Sequence, residues 1–228
     1  MLVTALGLAQ APPEVEIPAE PHHHLVFKNE ELRVFGVEVP PHGETQMHLH
    51  HHDYIYVTLG ASEVVNAVKG KDPIRLQLQD GETRFTPGNF AHVARNVSDK
   101  PFRNVTIEIL QDEKRRQAAS TWDEDRGLQI LEGGTEEVLF VKDGIRVSEV
   151  ELQHEGILPL TDGPLLVVAL TDKVRMMQGR PQPHHTMSFA AMVKLDTGGV
   201  QWLAPGHQKD LWCAGAPAKF ILLEFPKK

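Results

Sequence analysis

The chain has one cysteine, Cys213, among 228 residues. An intrachain disulfide is therefore excluded, and so is a zinc site built from several cysteines. A lone cysteine beside Trp212, with no histidine or basic residue next to it, is typical of a small buried side chain rather than a nucleophile. Any metal site must use other ligands.

Basic residues are also scarce: 23 Lys and Arg stand against 31 Asp and Glu, for a formal net charge of −8. The densest basic stretch, 114–116, follows acidic residues as on a solvated helix face. Because nucleic-acid binding needs clustered positive charge, we predict no nucleic-acid partner. No apolar run approaches the roughly 20 residues that span a bilayer, so we predict no membrane span.

The first eleven residues are small and apolar and resemble the end of a secretory leader. This favours export to the periplasm or the exterior, with cleavage after Ala9. The missing positive n-region, the short apolar run and Pro12 argue against it, and a cytoplasmic protein is the alternative. Residues 1–21 are interpreted as a leader-like or extended segment, and a truncated signal peptide would explain both sets of features.

Long helical patterns are rare, whereas Gly and Pro are frequent, with 18 and 16 copies. This composition predicts many short strands joined by turns. With 41% hydrophobic residues, the chain has enough apolar material for a core. We predict an all-β globular protein.

Histidine, by contrast, is abundant, and residues 48–52 hold four of the 13 copies. His48 and His50 are two residues apart, which in a strand places both imidazoles on one face. His92 follows Gly81 and Pro87, which predict a turn and then a strand able to bring a third imidazole to the same ion. Three histidines with open positions suit one divalent transition ion, with Fe, Zn, Ni, Cu and Mn all open.

These stretches resemble the two motifs of the cupin family. The first motif has glycines on both sides of its two histidines, and its residues here are Gly43, His48, His50 and Gly60. The second motif has a glycine and a proline before its histidine and an asparagine after it, here Gly81, Pro87, His92 and Asn96. The resemblance implies that His48, His50 and His92 bind the metal. The family's ligand Glu is replaced by Tyr54, preceded by Asp53, and either is a candidate further ligand.

The chain also repeats itself. Residues 26–43 align without a gap with 139–156, and nearly the same offset relates 101–108 to 217–224. Two such copies resemble two jelly-roll cupin barrels in tandem. We place the N-terminal barrel at 22–115, a junction at 116–135, and the C-terminal barrel at 136–228, with a short junction helix predicted within 111–125.

The second copy lacks the ligand set. The repeat places Thr161, Gly163 and Asp210 at the positions of the three histidines. The resemblance therefore implies a structural or substrate-shaping role for the second barrel.

Further polar residues compete for roles near the site. His52 shares the parity of His48 and His50 and is a candidate catalytic residue that relays protons or binds the ligand. Tyr54 is a second candidate, through its hydroxyl, although a plain barrel-core aromatic is nearly as good an interpretation. The run at 22–24 either binds metal adventitiously or begins a strand, while His184 and His185 favour a surface loop.

The function predicted is that of a dioxygenase-like oxidoreductase acting on a small organic molecule at the first barrel. A non-catalytic module that binds or senses a small ligand is the alternative. A sugar isomerase or epimerase is a weaker one, because no lysine or histidine–acid pair is evident in the sequence. The resemblance also implies a homodimer that pairs through strand edges.

Overall fold

The structure, a computed structural model, describes residues 13–110, 127–178, 192–206 and 210–226. The regular structure in these ranges is β, apart from one turn of 3-10 helix at Ile17–Ala19. No helix in the same ranges is long and apolar enough to cross a membrane. The prediction of an all-β fold is confirmed, while the predicted junction helix lies outside the described residues.

Two five-stranded sheets form the first barrel. The first sheet runs in the order β1 (Val15–Glu16), β4 (His48–His50), β9 (Phe90–Asn96), β6 (Ser62–Val68) and β7 (Ile74–Leu78). The second runs in the order β2 (His23–Lys28), β3 (Leu32–Val39), β10 (Phe102–Ile109), β5 (Tyr54–Thr58) and β8 (Thr83–Thr86).

The second barrel is built from one continuous eight-stranded sheet. Its path runs β15 (Met192–Leu195), β14 (Val174–Gln178), β17 (Asp210–Cys213), β12 (Ile145–Pro159), β18 (Ala218–Glu224), β13 (Leu165–Ala169) and β16 (Val200–Leu203), with β11 (Leu128–Lys142) paired to β12. The long β12 pairs with β18 through its first half and with β17 through its last residues. Apart from β1, the strand orders of the first barrel recur in the second, as the repeat predicts. The order β2-β3-β10-β5-β8 corresponds to β11-β12-β18-β13-β16, and the order β4-β9-β6-β7 corresponds to the end of β12 followed by β17, β14 and β15.

The barrels pack against each other through strands such as β3, which are buried on both faces. Leu32 and Val34 face a core shared with the second barrel, where Ile145 and Val147 take part in the same cluster. Phe35 lies on the opposite face of β3 and belongs to the interior of the first barrel. Burial on both faces removes much apolar surface from water and holds the first barrel against the second.

The described N-terminal residues contribute to the first barrel. β1 pairs in parallel with β4, with Val15 opposite His48, and Ile17 is buried in the barrel interior. Part of the predicted leader-like segment thus packs beside the predicted metal strand. β11 begins at Leu128, inside the predicted junction, and the division into domains stays a prediction.

Candidate metal centre

The three predicted ligands meet on two neighbouring strands of the first barrel. β4 and β9 are antiparallel, and His48 lies directly opposite His92. His50 is two residues along β4 and therefore points to the same face as His48. All three side chains are buried, and one ligand atom from each lies within 4.8 Å of the others.

Hydrogen bonds to Nδ1 fix two of these rings. Nδ1–H of His48 donates to the carbonyl oxygen of Gln46 at 2.8 Å. Nδ1–H of His92 donates to Oδ1 of Asn66 at 2.7 Å. Each bond sets the ring orientation and leaves Nε2 as the lone-pair nitrogen, which is how proteins commonly hold a metal-binding histidine.

The third ring is held by aromatic contacts. His50 stacks on Tyr54 at a centroid distance of 4.2 Å and an interplanar angle of 20°, and on Phe90 at 5.5 Å and 20°. Its Nε2 lies 3.2 Å from Nε2 of His92. Two nitrogens that each bind one ion at about 2.1 Å are at most about 4.2 Å apart, so this separation fits a shared ion. The donor set fits a divalent transition metal.

The environment keeps the imidazoles free of extra protons. Burial lowers the pKa of His48 to about 4, with the neighbouring His23 contributing. Burial and the neighbouring His48 lower the pKa of His92 to about 3, and burial with His92 and His48 lowers the pKa of His50 as well. Neutral imidazole is the form that binds a metal, so the site is ready to bind one near neutral pH.

The other sequence candidates are placed differently. Asp53 accepts a hydrogen bond through Oδ1 from the Gly88 N–H at 2.9 Å, and it is not part of the three-histidine group. His52 is half-buried and does not line the cavity beside this group. Tyr54 does line the cavity, and burial raises the pKa of its phenol, which keeps the hydroxyl protonated. Of the three, only Tyr54 is positioned to touch a bound ligand.

The loop that carries the second motif is tied to β4. The N–H of Asn89 donates to the His50 carbonyl at 2.6 Å, with Asn89 at a φ of 61°. A Cβ on Gly88 would lie 2.4 Å from the backbone carbon of His52, so only glycine fits there. Asn96, at the far end of β9, donates through Nδ2 to the carbonyls of Val39 and Lys100 and is structural.

A cavity of about 280 Å³ opens beside the three histidines inside the first barrel. Its walls are mainly apolar and aromatic, with a few polar groups, among them Asn66, Thr86, Asn104 and Arg84. Apolar walls with a few convergent polar groups are typical of small-molecule sites. The volume suits a small organic molecule.

Sequence reasoning missed one pair at this cavity. His23 is buried and lines the cavity, and its Nδ1 lies 2.6 Å from Oε2 of Glu20, which is also buried. The sequence favours a strand start or an adventitious metal binder for the run at 22–24, and β2 does begin at His23. Burial differs along that run, with His24 exposed, but three consecutive histidines give no signal in the sequence that singles out the buried one.

The structure puts the corresponding place in the second barrel at Leu158 and Leu211, not at Thr161 and Asp210 as the repeat predicts, and this place is apolar. There the last residues of β12 pair with β17, and Leu158 lies opposite Leu211. Both leucines belong to an apolar cluster inside the second barrel, which Met176, Phe220 and others complete. Within the described residues of the second barrel, no three-histidine group occurs. His184, His185 and His207 lie outside the described residues.

Solved structures of known enzymes share this tandem arrangement. Oxalate decarboxylase from Lactobacillus farciminis, in a formate complex, is 10% identical, with a TM-score of 0.59 over 87% of this chain and 78% of that one. Salicylate 1,2-dioxygenase from Pseudaminobacter salicylatoxidans is 10% identical, with a TM-score of 0.59 over 89% of this chain and 76% of that one. At these identities the likeness shows the fold.

A further match covers a smaller part of this chain. A cupin domain from Bordetella pertussis is 30% identical over 38% of this chain and 90% of that one, with a TM-score of 0.37. A scan against protein-family models found no match, and a search of curated proteins found none either. The two motifs, the duplicated strand order and the likeness to these tandem structures lead to one conclusion: the chain has the two-barrel fold of the cupin superfamily, and its second barrel, where described, lacks the three-histidine group.

Proposed function

We propose that the first barrel is a metal-dependent oxidoreductase of the dioxygenase type that acts on a small organic molecule. The observation that carries the proposal is the group of three buried imidazoles at the wall of a mainly apolar cavity. Held there, a divalent transition ion would act as a Lewis acid and, if redox-active, would bring a substrate and oxygen together.

The chain's own residues favour an anionic or readily deprotonated substrate. His48, His50 and His92 are neutral ligands, so the ion's full double charge remains in the site, whereas the family's usual Glu would cancel part of it. Arg84 adds a positive side chain to the cavity lining, although its guanidinium also pairs with Glu82. The mainly apolar walls lower the local dielectric constant, which strengthens the interactions of these charges.

Oxygen consumption tests the proposal. Protein purified without oxygen, loaded with iron(II), and mixed with enediol and phenolic compounds should take up oxygen in step with product formation. The variant His92→Ala should lose this activity while staying folded. A metal-loaded wild type that consumes no oxygen with any of these compounds would leave the non-catalytic binding module as the better account.

An isomerase or epimerase gains one specific observation. Sequence reasoning found no histidine–acid pair, but Glu20 and His23 form one at the cavity wall. An isomerase needs no oxygen, so turnover of a sugar or keto acid under strictly anaerobic conditions would favour this reaction over the oxidoreductase.

A further inference from the structure

Glu20 organises the cavity wall next to the metal strand. Its carboxylate accepts hydrogen bonds from His23 Nδ1 at 2.6 Å, from the His22 N–H at 2.8 Å and from the Gln46 N–H at 3.1 Å. The Gln46 carbonyl in turn accepts the bond from His48. One buried carboxylate therefore connects the start of β2 to the segment just before β4, although neither motif includes it.

This contact fixes the tautomer of His23. Burial raises the pKa of Glu20, but hydrogen bonds from His23 and Gln46 outweigh burial and hold it below its ordinary value. An ionised carboxylate only accepts, so Nδ1 of His23 carries the hydrogen. In the neutral ring, Nε2 is then left as a lone pair for the cavity.

The ring is near the three-histidine group without belonging to it. Its centroid lies 4.7 Å from that of His48 and 6.5 Å from that of His50. The ligand atoms of the group lie within 4.8 Å of one another, and His23 is not among them. His23 is therefore placed to contact what the ion holds rather than the ion itself.

We propose that Nε2 of His23, whose ring is held by Glu20, accepts a hydrogen bond from the ligand in the cavity. His23 therefore selects ligands that carry a hydrogen on the atom bound at the three-histidine site or on an atom next to it. Water, alcohols and hydroxy compounds satisfy this acceptor. A ligand without hydrogen, such as azide, faces the Nε2 lone pair and loses the hydrogen bond of the water it displaces. The inference rests on the proposed metal site and adds a ligand preference to it.

Cobalt(II) and azide supply the test. Metal-free protein is loaded with cobalt(II), and azide is titrated while the visible spectrum of the cobalt is followed. The variant His23→Leu should keep one cobalt per chain and bind azide about 3- to 10-fold more tightly, the range that one lost neutral hydrogen bond represents. The neighbouring exposed His24→Leu should leave azide affinity unchanged, and Glu20→Gln should shift it in the direction of His23→Leu.

A measurement on the unaltered protein covers the case of a variant that does not fold. In zinc-loaded wild type, the nitrogen resonances of His23 should show a protonated Nδ1 and an unprotonated Nε2 that binds no metal. Equal azide affinity in wild type and folded His23→Leu would overturn the inference, as would an Nε2–H tautomer. Loss of cobalt from His23→Leu would overturn it too, by making His23 a ligand. Failure of the wild type to bind cobalt at all would instead contradict the metal site.

Discussion

Nε2 of His50 lies 3.2 Å from Nε2 of His92, although the two residues belong to different strands. Nδ1 of His92 is occupied by Asn66, so its Nε2 presents a lone pair toward His50. Two buried nitrogens this close require either a shared hydrogen or a shared cation. The nearby His48, whose Nε2 is also free, favours the cation, because an ion uses all three lone pairs at once.

Replacing Tyr54 tests whether it is a ligand. Tyr54→Phe should keep one metal per chain, because burial raises the pKa of the phenol and keeps it protonated. The ring contact with His50 survives in phenylalanine, so the free energy of unfolding should change by only about 1 kcal/mol. Elemental analysis of both proteins decides the point, and metal lost from the variant would assign Tyr54 to the coordination sphere.

As the pH is lowered, the metal-free protein should begin to lose stability before its carboxylates titrate. The pKa of His48 is about 4 in the folded chain and about 6.5 when exposed, so the unfolded chain binds more protons between these values. The free energy of unfolding therefore falls as the pH drops from about 6.5 to about 4, by on the order of 3 kcal/mol for His48 alone. Urea titrations of chelator-treated protein measure it.

The matched variant for that series is His48→Asn. Its stability should depend less on pH over the same interval, because one buried imidazole no longer titrates. The exposed His24→Leu should keep the wild-type slope. An identical slope in wild type and His48→Asn would contradict the burial assigned to this ring.

A side chain at Gly88 should force the neighbouring backbone to move. In Gly88→Ala the new Cβ would lie 2.4 Å from the His52 backbone carbon, and the loop that holds the His50 carbonyl must shift. We expect a loss of about 1–3 kcal/mol of stability and weaker metal retention. Gly127→Ala, where no atom lies within 4 Å of the added Cβ, is the control and should change neither. Thermal melting with and without metal separates the two effects.

The second barrel depends on a buried ion pair that the repeat preserves. Arg146 contacts Glu224 and Glu136, and the aligned Arg33 contacts Glu108 in the first barrel. Arg146→Met leaves Glu224 buried without its cation, which should cost about 3–5 kcal/mol. Arg95→Met, at the exposed pair with Glu44, should cost less than about 1 kcal/mol. Equal costs in denaturant titrations would show that burial of the Arg146 pair is unimportant.

The strand pattern made much of this architecture predictable. The alternation in β4 and the glycines around β9 predicted which imidazoles share a face, and the repeat predicted two barrels. These signals are local or periodic, so they survive in a single sequence. The structure adds that His48 lies directly opposite His92, a register that no local pattern encodes.

The partners of the ligands were not predictable in the same way. Asn66 reaches His92 from β6, and Glu20 reaches Gln46 from the N-terminal segment. Both contacts join residues far apart in sequence, and asparagine or glutamate at such positions looks like ordinary surface composition. His52 shows the opposite case, a residue predicted to lie at the site that does not. Its spacing of two from His50 predicted a shared strand face, but β4 ends at His50, so the alternation of faces does not extend to His52.

The central claim, one metal bound by three histidines of the first barrel, is tested most directly by elemental analysis of natively purified protein and of three single variants. The account predicts about one divalent transition ion per chain in the wild type, and its loss in His48→Ala, His50→Ala and His92→Ala with the fold retained. Well-folded wild-type protein without stoichiometric metal, even after incubation with iron, zinc, nickel, copper and manganese, would contradict it.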